Sequence, residues 1–438
     1  MTRTMKDSCV EWIGQIPEKW NVKPLYCFFN ERKNKNLNGK ETNLLSLSYG
    51  KIIRKNINTA EGLLPESFNT YNIIEAGDIV FRLTDLQNDK RSLRTGLAKE
   101  HGIITSAYVT VKPIKNLINS FFHYLLHSYD VTKVFYNMGN GVRQGLTFDE
   151  LKKLLLLIPP LSEQQAIADY LDDKCAQIDN ITATINEQIE VLKQYKKSVI
   201  TEAVTKGLDH NVPMKDSGVE WIGKIPEHWT LKPFEFILKE RSLKNNPILT
   251  DERLALSIDK GITLYSEKTT NLDRFKDDVS LYKVVYPGDF VMNSMNMIVG
   301  AVGITPYLGC VSPAYYVFYD ENTKHTKARF CDYIFRSKTI RKYLFSIGKG
   351  IMAIERGDDR VNTCRLKVSR YDLNKLKIPQ PPYIEQTQIV NYLDDKCAKI
   401  DAVIADKQAQ LETLAAYKKS LIYEYVTGKK SVPGFEEA

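Results

Sequence analysis

The sequence predicts an α+β chain built as a pseudo-two-fold tandem repeat, in which two similar mixed domains are joined by two long antiparallel paired helices of coiled-coil type. Three observations carry that expectation. Residues 5–24 (MKDSCVEWIGQIPEKWNVKP) return as residues 214–233 (MKDSGVEWIGKIPEHWTLKP), identical at 15 of 20 positions at an offset of 209. Residues 171–179 (LDDKCAQID) return as residues 393–401 (LDDKCAKID), eight of nine identical, at an offset of 222 that persists to the matched YKKS segments at 195–198 and 417–420. Neither second block is interrupted by Gly or Pro, and its apolar residues recur every three or four positions, as one face of a helix requires.

In chain order, each copy opens with the shared 20-residue block and passes into a variable region. In copy one, runs at 42–49 and 78–82 read as strands and 119–129 as a helix. Similarity between copies falls here to islands, AGD at 76–78 against PGD at 287–289 and GIITSAY at 102–108 against GCVSPAY at 309–315. Each copy thus keeps a frame and changes its contents, which suits recognition of two different things with one geometry. A diproline, Pro159-Pro160, closes the first variable region, and Ser162 with Gln165 has capping-box spacing. The following stripe comprises Ile167, Leu171, Cys175, Ile178, Ile181, Ile185, Ile189, Leu192, Tyr195 and Val199. Copy two keeps Pro381-Pro382, has Ile384 at the cap position, and repeats the stripe with Ile389, Leu393, Cys397, Ile400, Val403, Leu411, Leu414, Tyr417 and Leu421. The expected divisions are 1–158, helix 159–207, 208–380, helix 381–428 and a tail, 429–438.

A helix of roughly 43 residues would be a rod of about 65 Å, whose apolar stripe needs a cover. The unchanged offset means that neither helix has gained or lost a residue against its twin, as a mutual seam demands. Antiparallel pairing would put a pseudo-two-fold axis near Ile185 and Lys407. It would place Cys175 opposite the neighbourhood of Tyr417 and make both matched cysteines core thiols. The other arrangement that covers the stripe docks each helix on its own domain.

The chain has 438 residues, 61 Lys and Arg against 53 Asp and Glu, and a net charge of +8. Residues 163–206 hold eight acids and five bases and residues 385–427 seven and five, so the variable regions and flanks carry +13. That asymmetry separates acidic spacers from basic parts fit to touch a polyanion. Candidate DNA-binding residues in the first region are Tyr49, Lys51, Arg54, Arg82, Gln87, Arg91, Arg94, Arg143 and Gln144. In the second they are Ser257, Asp259, Lys260, Asn293, Ser294, Asn296, Arg356, Arg360 and Asn362. Such side chains read base edges or grip phosphates.

Seven cysteines without a CxxC pair argue against a disulfide framework or a zinc cluster, and the apolar runs are too short to span a bilayer; a cytoplasmic home is expected. Catalytic signatures fail on inspection. Gln380-Pro-Pro-Tyr383 has Gln where an amino-group methyltransferase needs an acid or Asn. The GxG elements at 139–141 and 348–350 lack the rest of a nucleotide fingerprint, and His123 and His127 lack the Glu of HExxH. No catalytic or metal-ligating residue is assigned.

Together PPLSEQ at 159–164, the helix ending YKKSVITEAVTKGL at 195–208, GVEWIGKIPEHW at 218–229, PGDF at 287–290, VSPAY at 311–315 and VRQGLTFDELKKL at 142–154 resemble the specificity subunit of type I restriction-modification systems. The resemblance spans nearly the whole chain, departing at Ile384 and the Gln-rich second helix start. It implies a non-catalytic subunit with two target-recognition domains, each reading one half of a bipartite double-stranded DNA site. It further implies two helices that fix the spacer and dock two methylation subunits, with restriction subunits joining that core. S-adenosylmethionine, ATP and Mg would then belong to the partner subunits, with no cofactor in this chain. Half-sites one helical turn apart lie about 34 Å from each other, within the span of such rods. The competing classes are a stand-alone DNA-modifying enzyme and a coiled-coil protein scaffold.

Overall fold

The computed structural model describes residues 3–57, 67–86, 93–138, 145–258, 260–268, 278–322, 324–351, 354–355, 361–362 and 365–435. The chain divides into two compact units. Unit 1 comprises residues 1–185 and 408–438, and unit 2 residues 186–407.

In unit 1 a four-stranded antiparallel sheet runs in the order Phe29–Glu31, Val109–Pro113, Ile79–Phe81, Thr95–Leu97. The helix Asn119–Val131 contributes Phe121, Phe122, Leu125 and Leu126 to the same core as Phe29, Ile79 and Phe81. Unit 2 repeats the plan with Lys239–Glu240, Tyr315–Tyr319, Phe290–Asn293 and Val302–Ile304, backed by the helices Thr326–Arg336 and Lys338–Ile347.

The shared AGD and PGD islands have one physical cause. Gly77 and Gly288 hold φ of +94° and +90°, a turn open to Gly at no steric cost. The next residue, Asp78 or Asp289, is buried. Its carboxylate accepts from the backbone N–H three residues earlier, at 2.9 Å in both copies, and pairs with a guanidinium, Arg32 in unit 1 and Arg241 in unit 2.

The opening and closing blocks of each domain zip together. Asn21–Pro24 pairs antiparallel with Leu155–Ile158 in unit 1, and Thr230–Pro233 with Lys377–Gln380 in unit 2. This brings the tryptophan of the opening block to the start of the long helix. Trp20 Nε1 donates to Glu163 Oε2 at 2.8 Å, and Trp229 Nε1 donates to Glu385 Oε1 at 3.0 Å. Both rings are wholly buried.

The two long helices are Leu161–Lys206 and Tyr383–Val426, of 46 and 44 residues. They do not start with a capping box. Ser162 lies exposed inside the first turn, and the helix begins at the diproline, where Gln164 Nε2 donates to the Pro159 carbonyl at 2.9 Å. Gln386 Nε2 donates in the same way to Pro381, also at 2.9 Å, so copy two starts its helix as firmly without Ser.

Within each unit the helix segments run antiparallel. In unit 1 Tyr170 meets Tyr425 and Asp179 accepts from Lys418, the first helix ascending as the second descends. In unit 2 Gln188 accepts from Lys407 and Asp401 from Lys196 in the same sense. Cys175 and Cys397 are 6% and 7% exposed. Cys175 shares its core with Leu421 and Ile422, about one turn beyond the expected level of Tyr417. The stripe itself needs correction. Ile178, Ile185 and Ile189 are buried, whereas Ile181, Tyr195, Val403 and Tyr417 are exposed, because periodicity marks a helix face without saying what covers it.

Candidate nucleic-acid interface

Each domain is fastened to helix by matched polar contacts. In unit 1 the Tyr124 hydroxyl donates to Asp172 Oδ1 at 2.7 Å; in unit 2 the Tyr333 hydroxyl donates to Asp394 Oδ1 at 2.6 Å, and Arg329 pairs with the same carboxylate. Burial raises both phenols above their ordinary range, and the Asp172 carboxylate adds to the rise at Tyr124. The aspartates at 172, 179, 394 and 401 were missed as functional residues. Their signal was present, since LDDKC and the later ID are identical in both copies, but an apolar stripe assigns exposed acids no duty.

The sequence-predicted site residues separate into three groups. On the first variable region, a two-stranded ribbon, Leu45–Ser48 paired with Lys51–Arg54, carries Tyr49, Lys51 and Arg54 outward. Lys51 Nζ reaches Asp179 of the helix at 3.3 Å, and Arg54 Nε donates to Glu100 at 2.6 Å. Both pairs are largely solvated and weak, leaving the cations exchangeable for phosphate. In unit 2 the matching ribbon, Leu254–Ser257 with Gly261–Leu264, presents Lys260 at its tip, while Ser257 Oγ accepts from the Lys260 N–H at 3.2 Å and braces the turn. Asn296 is also exposed, and Arg82 is half-buried.

The second group is a correction. Arg94 is wholly buried, its guanidinium donating to the carbonyls of Arg82, Thr84 and Asp85 at 3.1, 2.8 and 3.1 Å and to the Tyr136 hydroxyl at 3.1 Å. It organises the loop after Ile79–Phe81 from inside and presents no donor to a duplex. Asn293 and Ser294 are buried as well. Asn293 Oδ1 accepts from the Met295 N–H at 3.1 Å, so its side chain shapes the turn and Met295 and Asn296 face outward.

The third group, Gln87, Arg91, Arg143, Gln144, Asp259, Arg356 and Arg360, lies outside the described residues, as does the side chain of Asn362.

His123 and His127 stand 6.3 Å apart, ring to ring, on the inner helix of unit 1. Among the described residues no group of three or more His, Cys, Asp or Glu could hold a metal ion, and no helix is long and apolar enough to cross a membrane. Burial pushes the two imidazoles down to about 3 and about 4, helped by His127 and Lys99 at the first and by Lys418 and Lys419 at the second. Above pH 6.5 both are neutral folded and unfolded, so they leave stability untouched. Below it the unfolded chain takes up protons that the folded chain refuses, and stability falls until the folded values are reached. At pH 5 the loss is expected to reach up to about 4 kcal/mol for the pair. Thermal unfolding of wild type and a His123→Phe, His127→Phe variant between pH 7 and 5 checks this. Equal slopes would refute it.

The chain thus holds two basic α+β domains, each stapled to antiparallel helix segments, and known proteins share its sequence pattern. Residues 17–191 match the family model described as type I restriction modification DNA specificity domain. The chain is 27% identical over 444 residues, 95% of each protein, to the MjaX type I restriction enzyme specificity subunit of Methanocaldococcus jannaschii. It is 26% identical to the MjaVIII specificity subunit of the same organism over 75% of this chain and 74% of that one. A chain from a solved structure concerned with complex assembly and conformational transition of the type I R-M system superposes with a TM-score of 0.65 at 14% identity, covering 95% of this chain and 99% of that one, which shows the fold. The chain is thus similar to type I restriction enzyme specificity subunits over nearly its whole length.

Proposed function

We propose that the chain is the non-catalytic DNA-reading subunit of a type I restriction-modification complex, with each variable domain reading one half of a bipartite site. The long helices act together as an antiparallel coiled coil that sets the spacer between the halves. The observation that carries this reading is the twinned fastening of domain to helix, Tyr124 to Asp172 and Tyr333 to Asp394, which makes a domain's position a property of the rod it stands on. The basic charge outside the helices supplies phosphate contacts.

Two methylation subunits dock along the rods. The exposed apolar residues recur at the repeat offset, Ile181 with Val403 and Tyr195 with Tyr417, as two copies of one partner require. S-adenosylmethionine binds on those methylation subunits, and ATP and Mg on the restriction subunits that complete the assembly.

The test is N6-methyladenine sequencing in cells that express the full complex with and without this chain. A bipartite motif present only with the chain is the expected result; an unchanged methylome refutes the reading. Inserting four residues after Ala183 and again after Ala405 lengthens each rod by about 6 Å. The preferred spacer is expected to lengthen with both half-sites unaltered. A spacer that stays the same would exclude the helices as the ruler.

A further inference from the structure

Each of the two ribbons carries a large exposed side chain next to a restrained strand end. In unit 1 the turn joining Leu45–Ser48 to Lys51–Arg54 consists of Tyr49 and Gly50, with φ of +46° and +78°. Positive φ at both central positions suits Asn-Gly and is unfavourable for a residue with a bulky side chain. The ring of Tyr49 gains nothing from packing in exchange, being 83% exposed.

Looseness of the tip does not explain that exposure. A Cβ at Gly50 would lie 3.2 Å from the Leu93 side chain, so the turn backbone rests against Leu93. Lys51 is tied to Asp179 of the long helix at 3.3 Å. Leu45 and Leu47 root the ribbon in the domain. The ribbon root and the tip glycine are thus held in place, and Tyr49 projects beside the solvated Lys51 and Arg54.

The second copy repeats the arrangement with different chemistry. Ile258 stands at the offset of 209 from Tyr49, on the ribbon whose Leu254 and Leu256 correspond to Leu45 and Leu47. It is 47% exposed although β-branched and apolar. The turn is braced by the Ser257 hydroxyl on the Lys260 N–H and by Gly261 at φ +65°. Two independently diverged tips therefore present a large side chain to solvent on an anchored frame, Tyr in one and Ile in the other.

Resting on the DNA-reading function proposed above, we infer that the two ribbons enter the DNA grooves and that Tyr49 and Ile258 are base-contacting, specificity-determining residues, one for each half-site. A two-stranded ribbon fits the major groove, where an apolar side chain meets the thymine methyl and a phenol can also exchange a hydrogen bond with a base edge. Lys51 and Arg54 flank the first tip and Lys260 the second, where they can hold the backbone while the tip reads. Strain retained at an exposed residue is accounted for by such a contact.

The experiment compares complexes carrying wild type, Tyr49→Asn, Tyr49→Gly, Ile258→Asn and Ile258→Gly, by N6-methyladenine sequencing and by thermal unfolding. Asn and Gly relieve the turn at position 49, so the unfolding midpoint of both variants is expected to equal or exceed that of wild type. Methylation of sites differing at one base of a single half-site is expected to rise about tenfold relative to the cognate site. The Tyr49 variants should alter one half-site and the Ile258 variants the other. An unchanged motif, a uniform loss of methylation over all sites, or a change in both halves from one substitution would overturn the inference. Should one replacement unfold its domain, the other at the same position decides. Absence of any bipartite motif with the wild-type chain would instead remove the DNA-reading function itself, so the two failures are distinct.

Discussion

Replacing Trp20 with alanine is expected to destabilise unit 1 by about 3–5 kcal/mol, the range for emptying a buried aromatic site. The ring is wholly buried and forms the joint where three parts of the chain meet. Its Nε1 donates to Glu163 at the start of the first long helix, Arg3 lies over its face at 5.3 Å, and a Cβ at Gly428 would stand 3.1 Å from its edge. Gly428, at φ +70°, is the turn that ends the second helix. Alanine therefore opens a cavity and leaves the buried Glu163 carboxylate with one donor fewer. Trp20→Phe separates the two effects, since it keeps most of the bulk and loses only the N–H; about 1–3 kcal/mol is expected from that loss. Urea unfolding measures both, and amide exchange should quicken at 421–426. A cost below 1 kcal/mol for alanine would show that the joint closes without the ring.

Arg94→Met is expected to remove about 3 kcal/mol, because a wholly buried charged donor is lost from three part-buried carbonyls together. The carbonyls of Arg82, Thr84 and Asp85 all converge on this guanidinium, which also lies 5.3 Å from the centre of the Tyr136 ring. Lysine keeps the charge without the planar fork and should recover only part of the loss. The salt dependence of DNA binding by whatever fraction remains folded should keep its slope, as Arg94 neutralises no phosphate. A stable Arg94→Met protein whose slope falls by about one would mean that Arg94 reaches the duplex after all.

Arg94 also marks the limit of sequence reading. An arginine between a strand and a polar loop has the same pattern whether it grips phosphate or three carbonyls, and only the fold around it decides. Asn293 and Ser294 fell inside for the same reason. By contrast the duplication, the helix at 119–129 and the unbroken long helices were legible, since identity at fixed offsets and uninterrupted periodicity are properties of the chain itself. The diprolines were read correctly as the place where the helices start, while the capping box at Ser162 was a local signal overridden by Gln164 and its twin Gln386. The apolar stripe was half right. Most of its members, including Ile185 and Ile189 in its middle, are buried, but Ile181, Tyr195, Val403 and Tyr417 face solvent, and a periodic pattern is the same whether a neighbouring helix or another protein covers it.

Unit 2 is one uninterrupted stretch of chain, whereas unit 1 is assembled from both sides of it. Leu421, Ile422, Tyr425 and Val426, which complete the core around Cys175, leave the ribosome only after all of unit 2 has been made. The usual order of synthesis, in which the earlier domain closes first, is thereby inverted. The first-made part of unit 1 waits with its core incomplete while unit 2 can already settle, and the late helix end at 421–426 acts as the bolt on the beginning.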